Sequence, residues 1–158
     1  MQLSYTTDVP RGYHGQKAEG YPSAIDTVIP SAAMDHGVVV VYDRTTGKPH
    51  NAVKLPAAAG DLDAGETYGI MIRPDMAEPG QIPATLPAAC MRKGRAYVTV
   101  EGAVTKGTYA FVRHTANGAL APGGLRADLD TDKAIQVTGI KFLETTTGAA
   151  LCLVEFDL

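Results

Sequence analysis

Three aspartates at alternate positions, Asp128, Asp130 and Asp132 in "DLDTD", come nearest to a chemical motif in this chain. Hard oxygen ligands at every second position open a calcium loop. Such a loop turns on a glycine at its sixth position and closes with a bidentate glutamate at its twelfth. Lys133 and Gly139 stand at those places here, so a solvated acidic loop is the default reading and no metal is assigned. Whether the loop holds a cation stays open. Asp61 and Asp63 in "DLDAG" form a weaker version of the same pattern. A carboxylate pair for sugar hydrolysis depends on separation in space, which sequence does not give. Sites that cleave glycans are usually lined with aromatic platforms, whereas this chain has no Trp and is only 6% aromatic.

Nucleophiles are scarce. The serines are Ser4, Ser23 and Ser31, and none lies in a G-x-S-x-G elbow. "GAVTKG" carries a lysine between glycines, but its spacing is wrong for a phosphate cradle. His14, His36, His50 and His114 show no metal-binding spacing. Cys90 in "AACM" and Cys152 in "LCLV" read as two small buried hydrophobes. A disulfide between them fits poorly with a cytoplasmic origin, and no matched histidines complete a zinc site. No catalytic, cofactor-binding or metal residue is therefore assigned, and the chain is not expected to be an enzyme.

The elements that would position any site are strands. The 158 residues suit one domain, and 45% hydrophobic residues argue against overall disorder. Glycines and prolines, 17 and 10 of them, punctuate short apolar runs. "GVVVVY" is a β-branched run too short for a typical helix. "NAVKL" is a weak strand, "TYGIMIRP" a strand ended by Pro74, and "ATLPAACMR" an edge or bulged strand interrupted by Pro87. In "RAYVTV", Ala96, Val98 and Val100 share one face. In "TYAFVRH", Tyr109, Phe111 and Arg113 oppose Ala110, Val112 and His114. These two runs read as an antiparallel pair across "EGAVTKG". "TGIKFLE" and "ALCLVEF" make a closing hairpin, and the last strand, apolar on both faces until Glu155, belongs inside a sheet. The fold class is all-β: a jelly-roll-like sandwich or barrel of about eight short antiparallel strands.

Residues 1–36 have no lasting period and form an extended N-terminal arm ahead of a β-sandwich domain at 37–158. Tyr5, Arg11, Tyr13 and Tyr21 are its candidate contact residues, since tyrosines offer large, stiff, amphipathic surfaces. Two readings stay open: a strap across a neighbour, or a terminus laid on its own domain. A net charge of −3 with scattered Lys and Arg gives no nucleic-acid footprint. The polar start is not a secretory signal and no apolar segment reaches membrane-spanning length, so neither nucleic acid nor membrane is an expected partner.

Several stretches resemble the structural cement proteins that decorate the capsids of tailed bacteriophages. "YTTDVPRGYHGQKAE" is similar to that family's N-terminal segment, an aromatic followed by a Gly-x-x-Gly spacing at Gly12 and Gly15. Gly69 and Ile70 in "AGETYGIMIRP" match a family strand. The nearest likeness is "MRKGRAYVTVEGAVTKGTYAFVRHTANGAL", with Gly94, Arg95, Val98, Val100, Val104, Gly107, Val112 and Arg113 at the family's positions. Ala150 and Val154 fit a final strand, while the proline-rich insert from Arg73 to Pro87 departs from the pattern. The resemblance implies a jelly-roll-like domain without catalytic residues. It also implies binding to the outside of the major capsid protein shell, self-association as a homodimer or homotrimer, and a place on the virion exterior after synthesis in the host bacterial cytoplasm. Two other classes compete: a small carbohydrate- or receptor-binding module of a head or tail fibre, and, third, a trimeric nucleotide hydrolase of the dUTPase sort, whose phosphate-binding motif is missing.

Overall fold

A computed structural model describes residues 12–63, 65–74 and 80–158. Ten strands are described: β1 Gln16–Lys17, β2 Ala24–Pro30, β3 Val39–Tyr42, β4 Ala52–Lys54, β5 Thr67–Met71, β6 Ala88–Val100, β7 Tyr109–Arg113, β8 Leu125–Arg126, β9 Ala134–Phe142 and β10 Ala150–Asp157. One short 3₁₀ turn, Ala59–Leu62, is the only helical element among the described residues. The all-β class is as expected from the β-branched runs and the Gly/Pro punctuation.

The hydrogen-bonded path of the sheet runs β10-β9-β7-β8-β6-β2-β4-β3-β5, and extra pairings join β10 to β6 and β6 to β5. It therefore closes on itself twice, and both closures pass through β6. The first circuit is β6-β2-β4-β3-β5; the second is β6-β8-β7-β9-β10. The first half of β6 pairs with β2 and β5, as in Cys90 opposite Asp26 and Met71. The second half pairs with β10 from Lys93–Asp157 to Val100–Ala150.

Each circuit surrounds its own core. Val28, Val40, Val53, Met71 and Cys90, one from each strand of the first circuit, form one buried cluster. Ala96, Val98, Val112, Leu125, Phe142 and Val154 fill the second, whose cluster also reaches Ile70 and Met91. Alternation explains the assignment: inward residues at every second position of β6 and β10 oppose one another, as Val98 opposes Cys152.

Between its halves, β6 bends. Its register against β2 shifts between Ala24–Lys93 and Ile25–Met91, which leaves Arg92 as an extra residue, a β-bulge. Gly94 follows at φ +134°, where a Cβ would stand 2.9 Å from both the Met91 sulfur and the Ser23 Cβ. Only glycine fits that backbone at that approach.

Several expectations are corrected. The strands number ten among the described residues, not about eight. They are not all antiparallel, because β2–β4 and β6–β8 run parallel. "ATLPAACMR" and "RAYVTV" are not two strands but one of 13 residues, and it is central rather than an edge. Pro87 lies just before the strand and so removes no ladder hydrogen bond. Strands β6 and β7 do not pair; β7 lies between β8 and β9. Part of the expected arm is sheet: β1 and β2 both hydrogen-bond to β6. The closing hairpin of β9 and β10 is present, and β10 sits between two strands.

Candidate contact surface

Of the four expected contact residues, Tyr5 and Arg11 lie outside the described residues. Tyr13 is half-buried, with the Arg73 guanidinium 4.5 Å from its ring centroid. Tyr21 is exposed, and the Arg95 guanidinium lies 4.0 Å over its ring. Arg95 Nε in turn donates to Glu155 at 2.8 Å, so the ring, the cation and the carboxylate form a stack on the open face. Tyr21 lines a hollow of about 250 Å³ with Pro22, Lys93, Gly94 and Phe156. Tyr13 and Tyr21 are thus fixed on their own fold by arginines, Tyr21 with part of its surface still open to a partner. The structure does not stack them against each other; each has its own arginine.

A larger groove, about 630 Å³, runs beside the proline-rich insert and is lined by Ile25, Ile72, Ile82, Pro83 and Pro87 among others. Ile25 is 43% exposed and Leu86 54%, so apolar side chains project beside a concave wall. A wall containing prolines offers fewer backbone donors, which leaves shape and apolar contact to do the recognition. The insert was visible in sequence as a departure from the family pattern; the groove it builds was not.

A buried ionic centre lies at the far end of β7. Arg113, on β7, is fully buried. Its Nε and Nη2 donate to the two oxygens of Glu101 at 2.8 and 2.7 Å, and its Nη1 pairs with Asp130 at 2.6 Å. Arg126, on β8, reaches Glu101 and Asp130 at 3.1 and 3.0 Å, and Asp128 as well. Asn117 donates to Asp130 and accepts from Lys133 Nζ, which ties the loop before β8 to the one after it. The Glu101 and Asp130 carboxylates hold the Arg113 guanidinium firmly charged, and Arg113 in turn pulls Asp130 below the usual carboxylate range.

"DLDTD" is in part the solvated loop expected, since Asp128 and Asp132 are exposed, but Asp130 is drawn into the ionic centre. Asp128 and Asp130 face arginines, so their oxygens are already neutralised by cations of the chain itself. No cluster of three or more His, Cys, Asp or Glu side chains among the described residues is placed to hold a metal ion. Asp130, Thr131 and Asp132 take positive φ of 46°, 53° and 62°, an uncommon run for residues with side chains. The ion pairs hold that turn, and Leu129, 51% exposed, stands on it. Sequence reasoning missed Glu101 and Arg113 as a pair. A charged residue at a strand end reads as a solvated one, and its partners come from loops distant along the chain.

Elsewhere several polar groups are engaged in structure. Ser31 Oγ donates to Asp43 at 2.5 Å, and this bond, with help from Thr45, draws Asp43 down to about 2. Cys90 and Cys152 are free and buried. Burial pushes both thiols up, Cys152 to about 11, so neither is a thiolate at neutral pH. The arrangement is one of shape, apolar contact and fixed charge.

Comparison with known proteins agrees with that character. Residues 1–157 match the family described as structural cement protein (E217 gp24/Pam3 gp6). Among solved structures, a chain of "The capsid of Myoviridae Phage XM1" shares the fold at a TM-score of 0.74 and 19% identity, over 98% of this chain and 96% of that one. No curated protein matches the sequence.

Proposed function

The chain belongs to the phage structural cement protein family, and from that premise we propose that it binds the outer surface of the assembled major capsid protein shell and stabilises it. The observation that carries the reading is the family match, which spans residues 1–157 of 158. Membership already gives it a structural role in a phage capsid. The finer claims, which side of the shell and by which residues, are the proposal.

In this reading the contact face includes the open Tyr21–Arg95–Glu155 stack and the apolar groove beside the insert, together with Tyr5, Arg11 and Tyr13. A protein that bridges subunit seams adds a modest interface free energy at each of many identical sites. Binding that occurs only on the assembled lattice stabilises that lattice by mass action. Engagement of two subunits at once raises the effective concentration of the second contact. A shell of repeating sites also favours a symmetric dimer or trimer of the cement protein.

The test is saturable binding to purified, expanded shells, read by copy number against the major capsid protein and by shell melting temperature. A simple lattice ratio with a raised melting temperature is expected. Failure to bind such shells, together with binding to glycans or host cells, would move the protein to the head- or tail-fibre class.

A further inference from the structure

We propose that His14 is a pH-gated clasp: as a neutral ring it pins residues 12–18 into the angle between the two strand circuits, and its protonation releases them. The inference does not depend on shell binding.

The geometry is specific. The Thr99 backbone N–H, on β6, donates to His14 Nδ1 at 2.9 Å. That bond needs a lone pair on Nδ1, which the neutral ring has and the imidazolium lacks. Protonation would set an Nδ1–H against the Thr99 N–H, two donors face to face. The same ring lies against Gly37, in the turn before β3; a Cβ on Gly37 would stand 2.3 Å from its Cε1 and 2.4 Å from its Nε2. One side chain thus touches Thr99, in the half of β6 that belongs to the second circuit, and Gly37, which leads into the first.

The neighbouring residues follow the same path. Gly15 donates to the Tyr97 carbonyl at 2.8 Å and accepts from the Arg73 N–H at 2.8 Å, while Ala18 donates to the Arg95 carbonyl at 2.8 Å. Gly15 itself has φ +82°, and a Cβ there would stand 2.8 Å from the Gly37 nitrogen. These backbone bonds are insensitive to mild acid. The His14 bond is the member of the set that a proton breaks.

The charged surroundings set the direction. Asp35 and His36 lie in the turn that ends at Gly37, Arg73 follows β5, and Glu101 follows β6 and lines the same hollow as His14. The wall formed by Ala119, Leu120, Ala121 and Ala149 contributes no charge. Burial is the largest influence on His14 and lowers its pKa from 6.5; Asp35 opposes this, the charge of the His36 ring adds to it, and a hydrogen bond with the His36 backbone opposes it. His36 is lowered as well, first by burial. A histidine depressed in the folded state stabilises that state fully above its ordinary value. The contribution is lost as pH falls through the folded value, so release belongs below about pH 6.5.

The experiment is amide hydrogen exchange on the full chain at about pH 7.5 and about pH 5, corrected for intrinsic rates. Protection of residues 13–18 and of the Thr99 amide should drop about tenfold more than that of β9 and β10. In H14N the Asn Oδ1 replaces Nδ1 as acceptor, so protection should persist and its pH dependence should vanish. H14A should lack the protection at both pH values, and H36Q should keep the pH dependence. The proposal is overturned if the wild-type drop is no larger than that of β9 and β10, if H14N keeps it, or if H36Q removes it. Should H14A fail to fold, H14N decides alone.

Discussion

Arg113 and Glu101 are joined by two parallel hydrogen bonds, 2.8 and 2.7 Å, in a site from which the arginine has no exposure to solvent. A bidentate pair of this kind is strong in geometry but expensive to break from one side. Removing one member leaves the other charge buried without compensation.

Arg113→Ala should therefore cost about 3–5 kcal/mol in urea unfolding. A double replacement of Arg113 and Glu101 by methionine should recover part of that loss, although Asp130 and Arg126 remain to be satisfied. If the single and double variants were equally unstable, the Arg113–Glu101 pair would not be the interaction that matters.

Asp43 offers an acid-range test. Its carboxylate is held at about 2 chiefly by the Ser31 hydroxyl. The sign follows from that depression: the contribution is present above the ordinary carboxylate range and is lost as pH falls toward 2. Ser31→Ala should move the Asp43 titration upward by NMR and shift acid unfolding to higher pH. An unchanged titration would assign the depression to Thr45 and Lys48 instead.

Gly94→Ala should destabilise the fold by about 1–3 kcal/mol, because φ +134° and the Met91 sulfur both oppose a Cβ. Gly118→Ala, where a Cβ meets nothing within 4 Å, should cost less despite its own positive φ of 61°. Thermal denaturation of the two variants side by side decides the matter; equal losses would mean that backbone strain, not crowding at the bulge, is the cause.

Tyr21→Ala should weaken shell binding roughly 5–30-fold, about 1–2 kcal/mol, while leaving the melting temperature of the free protein nearly unchanged. Removal of residues 1–11 should likewise leave the sheet folded and reduce shell occupancy, since β1 begins at Gln16. Sedimentation with expanded shells reads both. Full binding by both variants would place the contact on the groove side.

Neither thiol should react with a disulfide reagent at neutral pH until the protein unfolds, since Cys90 and Cys152 each have no exposure. Rapid modification of either would show that its circuit opens in the native state.

Much of the sheet was legible because its signals are local. "GVVVVY", "TYGIM" and the closing "TGIKF" and "ALCLV" runs each carry β-branched or alternating residues, and they form β3, β5, β9 and β10. The unity of β6 was not legible: Pro87 read as an interruption and "ATLPAACMR" and "RAYVTV" as separate runs, yet Pro87 precedes the strand and Gly94 is its bend. The absence of a β6–β7 pair was equally hidden, because an alternating run carries its face but not its neighbour. At the contact surface, the tyrosines were visible by type, whereas the arginines that fix them, Arg73 and Arg95, are known only from the folded geometry. His14 read as a lone histidine because its partner is a backbone N–H, which every residue but proline possesses.

The strand shared by the two circuits has a consequence for how the chain comes together. The ladders of the first circuit lie within residues 24–93, those of the second within 93–157. Each half is contiguous along the chain, so the leading half can close while the trailing half is still being synthesised. The exception is β1, whose Gln16 must wait for Tyr97. Its docking is thus a late, long-range step, able to report that β6 has been built through to its second half.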